Sequence, residues 1–94
     1  MKAIYKYPLD ARTMQKVKLP VGSKILSVGN QRNGIVVWAE VDPKEEEKET
    51  VFFWVYTTGE EYLQRSTQSV FLGTIQISLS NEYVVHVFYE KIAI

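Results

Sequence analysis

The chain has 94 residues, no cysteine, and 11 basic and 11 acidic side chains. This length predicts a single domain over residues 1–94, and the missing cysteines exclude disulfides and thiolate metal sites. The zero formal net charge disfavours general nucleic-acid binding, and no apolar stretch approaches the ~20 residues of a membrane span. We therefore expect a cytoplasmic protein that has no membrane partner.

Apolar residues alternate with period two almost throughout the chain, which predicts strands. The first strand covers residues 2–7 and stops at Pro8, which cannot donate a hydrogen bond to a sheet. An Arg-Asn-Gly turn at residues 32–34 predicts a hairpin between the third and fourth strands. The remaining strands are predicted at residues 15–19, 24–31, 35–41, 50–57, 70–78 and 83–90.

The connections complete the predicted architecture. Residues 42–49 form a charged loop, across which we expect the fifth strand to pair with the fourth. Residues 60–69 are polar and predict a helical turn or a long loop, and residues 79–82 join the last two strands. We expect a mainly β fold: a small antiparallel β-sandwich or partly open barrel of about seven strands, with at most one short helix.

The fourth and fifth predicted strands are apolar on both faces. The run VFFWVY at residues 51–56 has no polar position on either alternating face, and residues 35–39 read IVVWA. Continuous apolar runs are typical of strands that are covered on both sides. The second cover is either the segment near Tyr62 or another subunit, and we expect a homo-oligomer, most simply an isologous dimer.

Charge is distributed unevenly along the chain. Residues 1–32 carry a net charge of +6, and residues 33–94 carry −6. Either basic strands pair beside acidic strands within one fold, or a basic face and an acidic face are separate and one of them docks a partner. Tyr5 and Tyr7 interleave with Lys2 and Lys6, a pattern found in single-strand nucleic-acid binders. The acidic second half would repel phosphates, so we do not expect a nucleic-acid partner.

His86 is the only histidine, and it lies in an apolar predicted strand. Its ring is either a structural group with local hydrogen bonds or a group that acts near neutral pH as an acid, a base or an anion contact. The sequence has no nucleophile elbow, no phosphate-binding glycine loop and no metal-ligand spacing. We therefore predict no catalytic residue, no metal site and no cofactor.

Several motifs occur in a fixed order along the chain. They are IYKYPL at 4–9, VKLPVGSKILSV at 17–28, Gln31, WAEVDP at 38–43, TG at 58–59, LGT at 72–74 and HVF at 86–88. In this order they resemble a family of small phage and prophage proteins, over almost the whole chain. Two positions depart from the pattern: Glu60 stands where such proteins commonly have histidine, and Val85 where they often have tryptophan. Any two-histidine site of the family would be lost here.

The phage resemblance implies a small accessory protein that acts by binding. We predict a non-enzymatic protein that binds a host factor in the host-cell cytoplasm, as a host-takeover or anti-defence inhibitor. One alternative is a sponge for a small nucleotide-like ligand at a subunit boundary, which requires a concave pocket with Arg or Lys near Trp38 or Tyr62. Others are a minor structural or single-strand nucleic-acid-binding protein, and an enzyme that uses His86 with Asp42 or Glu40.

Seven residues are candidates for the binding site because they are polar or aromatic and lie near predicted strand ends or in the motifs. Trp38 offers an aromatic anchor, and the turn at residues 58–59 offers backbone donors. Alternatively, the same residues shape strand ends and corners. The candidates are Gln31, Trp38, Asp42, Thr58, Gly59, Tyr62 and His86.

Overall fold

All regular structure in the chain is antiparallel β-sheet. The structure, a computed structural model, describes residues 1–11, 13–63, 66–78 and 83–92. Over these ranges it contains seven strands and no helix. The strands are β1 (Ala3–Leu9), β2 (Met14–Pro20), β3 (Lys24–Gln31), β4 (Gly34–Val41), β5 (Lys48–Thr57), β6 (Val70–Ser78) and β7 (Tyr83–Ile92).

The strands form two sheets that pack face to face. One sheet has the order β1-β4-β3 and the other β2-β5-β7-β6. The core lies between them and is built from alternate positions of the interior strands, including Val37 and Ala39 on β4 and Val51 and Phe53 on β5, all fully buried. The predicted mainly β fold is confirmed as an open, sandwich-like domain that is not closed into a barrel.

The strands β4 and β5 are not partners, so the prediction that they pair across the charged loop is wrong. β4 lies between β1 and β3, whereas β5 lies between β2 and β7. The loop at residues 42–47 therefore carries the chain from one sheet to the other. Each of the two strands is interior to its sheet, with one face in the core and the other face turned outward.

Two local predictions are also corrected: the end of the first strand and the bounds of the turn between β3 and β4. β1 continues through Pro8, which lies opposite Val36. An edge strand tolerates proline because its missing N–H can point out of the sheet. The β3–β4 turn is centred on Arg32 (φ 55°) and Asn33 (φ 61°), and Gly34 already belongs to β4. Positive φ at both central residues is the geometry of a type I′ hairpin.

The other strand bounds agree with the predictions to within two residues, and β3 and β6 match them fully. The predicted 79–82 connection lies outside the described residues. The described part of the 60–69 segment is non-helical. Among the residues that the structure describes, there is no helix that could cross a membrane.

Side chains fasten the two sheets together at their β3 and β6 edges and at the end of β7. Asn30 Nδ2 donates to the carbonyl oxygens of Gln76 (2.9 Å) and Ile77 (2.8 Å). Lys91 Nζ lies 3.0 Å from Glu49 Oε1 as an ion pair and also donates to the carbonyl of Ser23. These contacts tie β6 to β3, and β7 to the turn that precedes β3.

Basic and acidic segments are mixed by the strand order. The basic first-half strands β1 and β3 flank β4, and β2 flanks β5. Lys24 lies directly opposite Glu40 in the β3–β4 register. This arrangement fits the first of the two interpretations of the charge pattern, in which strands of opposite charge pair within one fold.

Candidate binding site

The outward side of the four-stranded sheet is unusually aromatic. The strand registers align Met14, Trp54, Phe88 and Phe71 in one row across β2, β5, β7 and β6. Phe71 at one end of the row is 54% exposed, and Met14 at the other end is 47% exposed. We call this side the outer aromatic face, and its rings are Phe52, Trp54, Tyr56, Phe71 and Phe88.

Tyr62, from the segment after β5, covers part of this face. The Tyr62 ring stacks on Tyr56 with the two ring centroids 3.9 Å apart and the planes 15° apart. Tyr56 is only 4% exposed beneath it, while Tyr62 itself is 45% exposed. The cover anticipated near Tyr62 is therefore present in a non-helical form, and it leaves the row at Phe71 open.

Two clefts flank Tyr62 on the outer aromatic face. The first holds about 250 Å³ and is lined by residues 56–60, Tyr62, Phe71, His86 and Phe88. Inside it, the Phe71 and Phe88 ring centroids are 5.2 Å apart with the planes inclined at 58°. The second cleft holds about 420 Å³ on the β2 side, and residues 56, 60 and 62 line both. We call the first one the Tyr62 cleft.

His86 in the Tyr62 cleft is held by two threonine hydroxyls. Its Nε2 atom lies 2.7 Å from Thr58 Oγ1, and its Nδ1 atom lies 2.8 Å from Thr74 Oγ1. A hydroxyl can donate or accept, so both neutral tautomers and the charged ring find partners here. This geometry fits the interpretation of His86 as a structural group with local hydrogen bonds.

The acid–base pairs considered for an enzyme are not assembled. Glu40 lies on β4 in the three-stranded sheet, and Asp42 follows the same strand. His86 faces outward from the other sheet, beside Tyr56 and Thr74 in register. Within the described ranges, no group of three or more histidine, aspartate and glutamate side chains is arranged to hold a metal ion.

Glu60 is fixed at the rim of the Tyr62 cleft by a tight turn. Gly59 adopts a φ of +85°, which favours glycine, and the Glu60 N–H donates to the carbonyl of Thr57 at 3.1 Å. In return, Glu60 Oε1 accepts from the backbone N–H (2.9 Å) and the hydroxyl (3.1 Å) of Thr57. The carboxylate is thus held in place without a basic partner among these contacts.

The structure brings together four of the seven predicted site residues, which all line the Tyr62 cleft: Thr58, Gly59, Tyr62 and His86. The other three belong to the three-stranded sheet or its ends. Gln31 ends β3 and accepts a 2.6 Å hydrogen bond from Lys6 Nζ. Asp42 accepts from the backbone N–H two residues later at 3.0 Å. Trp38 packs its ring over Gly29.

Sequence reasoning missed five residues of the cleft: Tyr56, Thr57, Glu60, Phe71 and Phe88. Phe88 could have been predicted, because simple alternation places it on the same face as His86. Phe71 could not have been predicted, because a register irregularity between Phe71 and Gly73 changes which face each residue presents. Glu60 was noted as a departure from the resemblance, and a histidine at that position would line the same cleft as His86.

The Tyr62 cleft differs in one respect from the pocket expected for a nucleotide-like ligand. That hypothesis requires Arg or Lys near Trp38 or Tyr62. The described lining residues include no Arg or Lys, and they include the Glu60 carboxylate. A phosphate group would meet the Glu60 carboxylate at this rim.

These features define a small antiparallel β-sandwich domain with an aromatic cleft on one sheet. The chain belongs to a family described as a domain of unknown function, DUF7352, whose model matches residues 1–93. Comparisons with curated proteins and with solved structures find no match. The resemblance to phage proteins stays a prediction, because the family description names neither an organism nor a virus.

Proposed function

We propose that this domain is a non-enzymatic binding module that docks a partner protein on its outer aromatic face. The observation that carries the proposal is the exposed row that ends at Phe71, next to a cleft of side-chain size. Aromatic residues dominate the energetics of protein interfaces when they fill, or line, a desolvated pocket. The Tyr62 cleft holds about 250 Å³, which is room for one anchoring side chain.

The polar groups of the cleft are held in place before any partner docks. Both ring nitrogens of His86 are engaged by threonine hydroxyls, and the Glu60 carboxylate accepts two hydrogen bonds from Thr57. Such groups are already positioned and lose little freedom when a partner docks. The resemblance to phage proteins makes a host protein the expected partner.

The test compares one substitution on each sheet. Phe71→Ser removes the exposed end of the aromatic row, and Tyr5→Ser removes a ring of similar exposure (46%) from β1 in the other sheet. A partner captured from a cell extract would be purified and its binding measured by calorimetry. We expect Phe71→Ser to weaken that binding at least tenfold and Tyr5→Ser to leave it unchanged, with circular dichroism confirming both folds. Equal effects of the two substitutions would refute the proposal.

Self-association through the same face is a second candidate, which the exposure of Phe71 and Met14 at the two ends of the aromatic row favours. Sedimentation velocity across micromolar concentrations tests this: a dimer that Phe71→Ser converts to monomer supports it, and a monomer throughout excludes it.

A further inference from the structure

We infer that the Tyr62 cleft selects a cationic group, such as an alkylammonium or guanidinium side chain. This inference rests on the proposed binding function and names the chemistry of the group that the cleft takes. Three observations lead to it: the rings that line the cleft, the sign of the charge at its rim, and a cation already seated on the same face.

The rings supply the first part of the argument. Tyr62, Phe71 and Phe88 line one cleft of 250 Å³, and Phe71 and Tyr62 are about half exposed. The faces of aromatic rings are negative, so several rings around one small space attract a cation that has lost part of its water shell. Alkylated ammonium groups suit such sites because their charge is spread over apolar methyl groups.

The rim supplies the second part. Glu60 places a carboxylate in the lining, held by its two hydrogen bonds to Thr57, and Glu61 lines the neighbouring cleft. The described lining of the two clefts contains no Lys or Arg. A cation that entered the Tyr62 cleft would therefore meet both an aromatic lining and a fixed negative charge.

The same face already carries a cation over a ring. Lys16 Nζ lies 5.7 Å from the centroid of Phe52, within the ~6 Å range of cation–π contacts. These two residues lie opposite each other in the β2–β5 register, on the outward side. Cation–π geometry is thus compatible with the spacing and tilt of side chains on this sheet.

The test uses choline and its neutral carbon isostere, 3,3-dimethyl-1-butanol, as probes. Each is titrated into the full chain while NMR signals of Tyr62, Phe71 and His86 are followed at constant ionic strength. We expect choline to bind about 2- to 30-fold more tightly than the isostere, the range that cation–π attraction provides. Equal affinities, or shifts confined to other residues, would overturn the inference.

Two charge-neutralising variants sharpen the result. Glu60→Gln keeps an oxygen acceptor for Thr57 and removes the charge, whereas Glu46→Gln removes a charge from the loop at the other end of β5, roughly 30 Å away. We expect Glu60→Gln to weaken choline binding about three- to tenfold and to leave the isostere unchanged. Equal effects of the two variants on choline binding would show that choline responds to the overall charge of the protein, which would overturn the inference. If Phe71→Ser abolished binding of a protein partner but choline bound no more tightly than its isostere, this inference would be overturned and the proposed function would stand.

Discussion

Gly29 provides a direct test of whether Trp38 is a packing residue or a free anchor. A Cβ atom at Gly29 would lie 2.7 Å from Cζ3 and 3.0 Å from Cη2 of the Trp38 ring. Carbon atoms pack best at ~3.5–4.0 Å, so in Gly29→Ala the ring must shift by about an ångström or leave its place. We therefore expect this smallest of substitutions to be destabilising.

The magnitude follows from two opposing effects. Forcing an extra methyl group against a packed side chain costs about 1–3 kcal/mol. Glycine to alanine otherwise gains about 0.4–1 kcal/mol where the backbone suits alanine, and Gly29 has no positive φ. The expected net loss is about 1–2 kcal/mol, which lowers Tm by roughly 4–16 °C in a domain of this size.

The control is the same substitution in a Trp38→Leu background, where the ring that clashes is gone. There we expect Gly29→Ala to be neutral or mildly stabilising. Thermal and urea unfolding of the four proteins, followed by circular dichroism, gives the coupling between the two positions. An unchanged or higher Tm for Gly29→Ala alone, or an equal loss in both backgrounds, would refute the reasoning.

Three further predictions concern the site and the core. Tyr62→Ala removes the ring stack and should lower the free energy of unfolding in urea by about 1 kcal/mol or more, while Leu63→Ala, at a side chain 93% exposed, should leave it unchanged. Thr74→Val deprives His86 Nδ1 of its partner, so we expect a loss of about 0.5–1 kcal/mol and a shift in the ¹⁵N signals of the ring; unchanged signals would contradict the bond. Burial, and secondarily the neighbouring tyrosine, raises the pKa of Tyr7 above its usual 10.0. The native state then holds its proton longer than the unfolded state, so stability should fall above about pH 10 and Tyr7→Phe should flatten that fall in pH-dependent urea unfolding.

Local sequence patterns located the strands and both hairpins, but not the pairing of strands that lie far apart in sequence. Alternation and the turn signal at residues 32–34 predicted β3 and β4, because these features depend on neighbouring residues alone. The choice between pairing β4 with β5 and sending them to different sheets depends on contacts far apart in sequence. A charged loop at residues 42–47 is compatible with both. Pro8 failed as a strand end for the same reason, since its tolerance depends on the edge position of β1.

The site shows the same division between local and distant information. Alternation places His86 and Phe88 on one face, and the sequence also predicts the Thr-Gly turn at residues 58–59 beside them. The contribution of Phe71 depends on a bulge, and the seating of Tyr62 on Tyr56 depends on a segment without periodic pattern. Trp38 was grouped with His86 in one candidate site, whereas Trp38 lies on the three-stranded sheet and His86 on the four-stranded sheet.

The order of strands also sets an order of folding. Each sheet contains one hairpin between neighbouring strands, β3–β4 and β6–β7, but β2 pairs with β5 by joining Met14 to Trp54 across 40 positions. Non-local pairing closes a long loop and is slow, so we expect both hairpins to gain protection before β2 does. Pulsed hydrogen exchange during refolding checks this, and early protection of β2 would contradict it. Until β5 arrives, Lys16 and Lys18 keep β2 hydrated and discourage it from pairing with another chain.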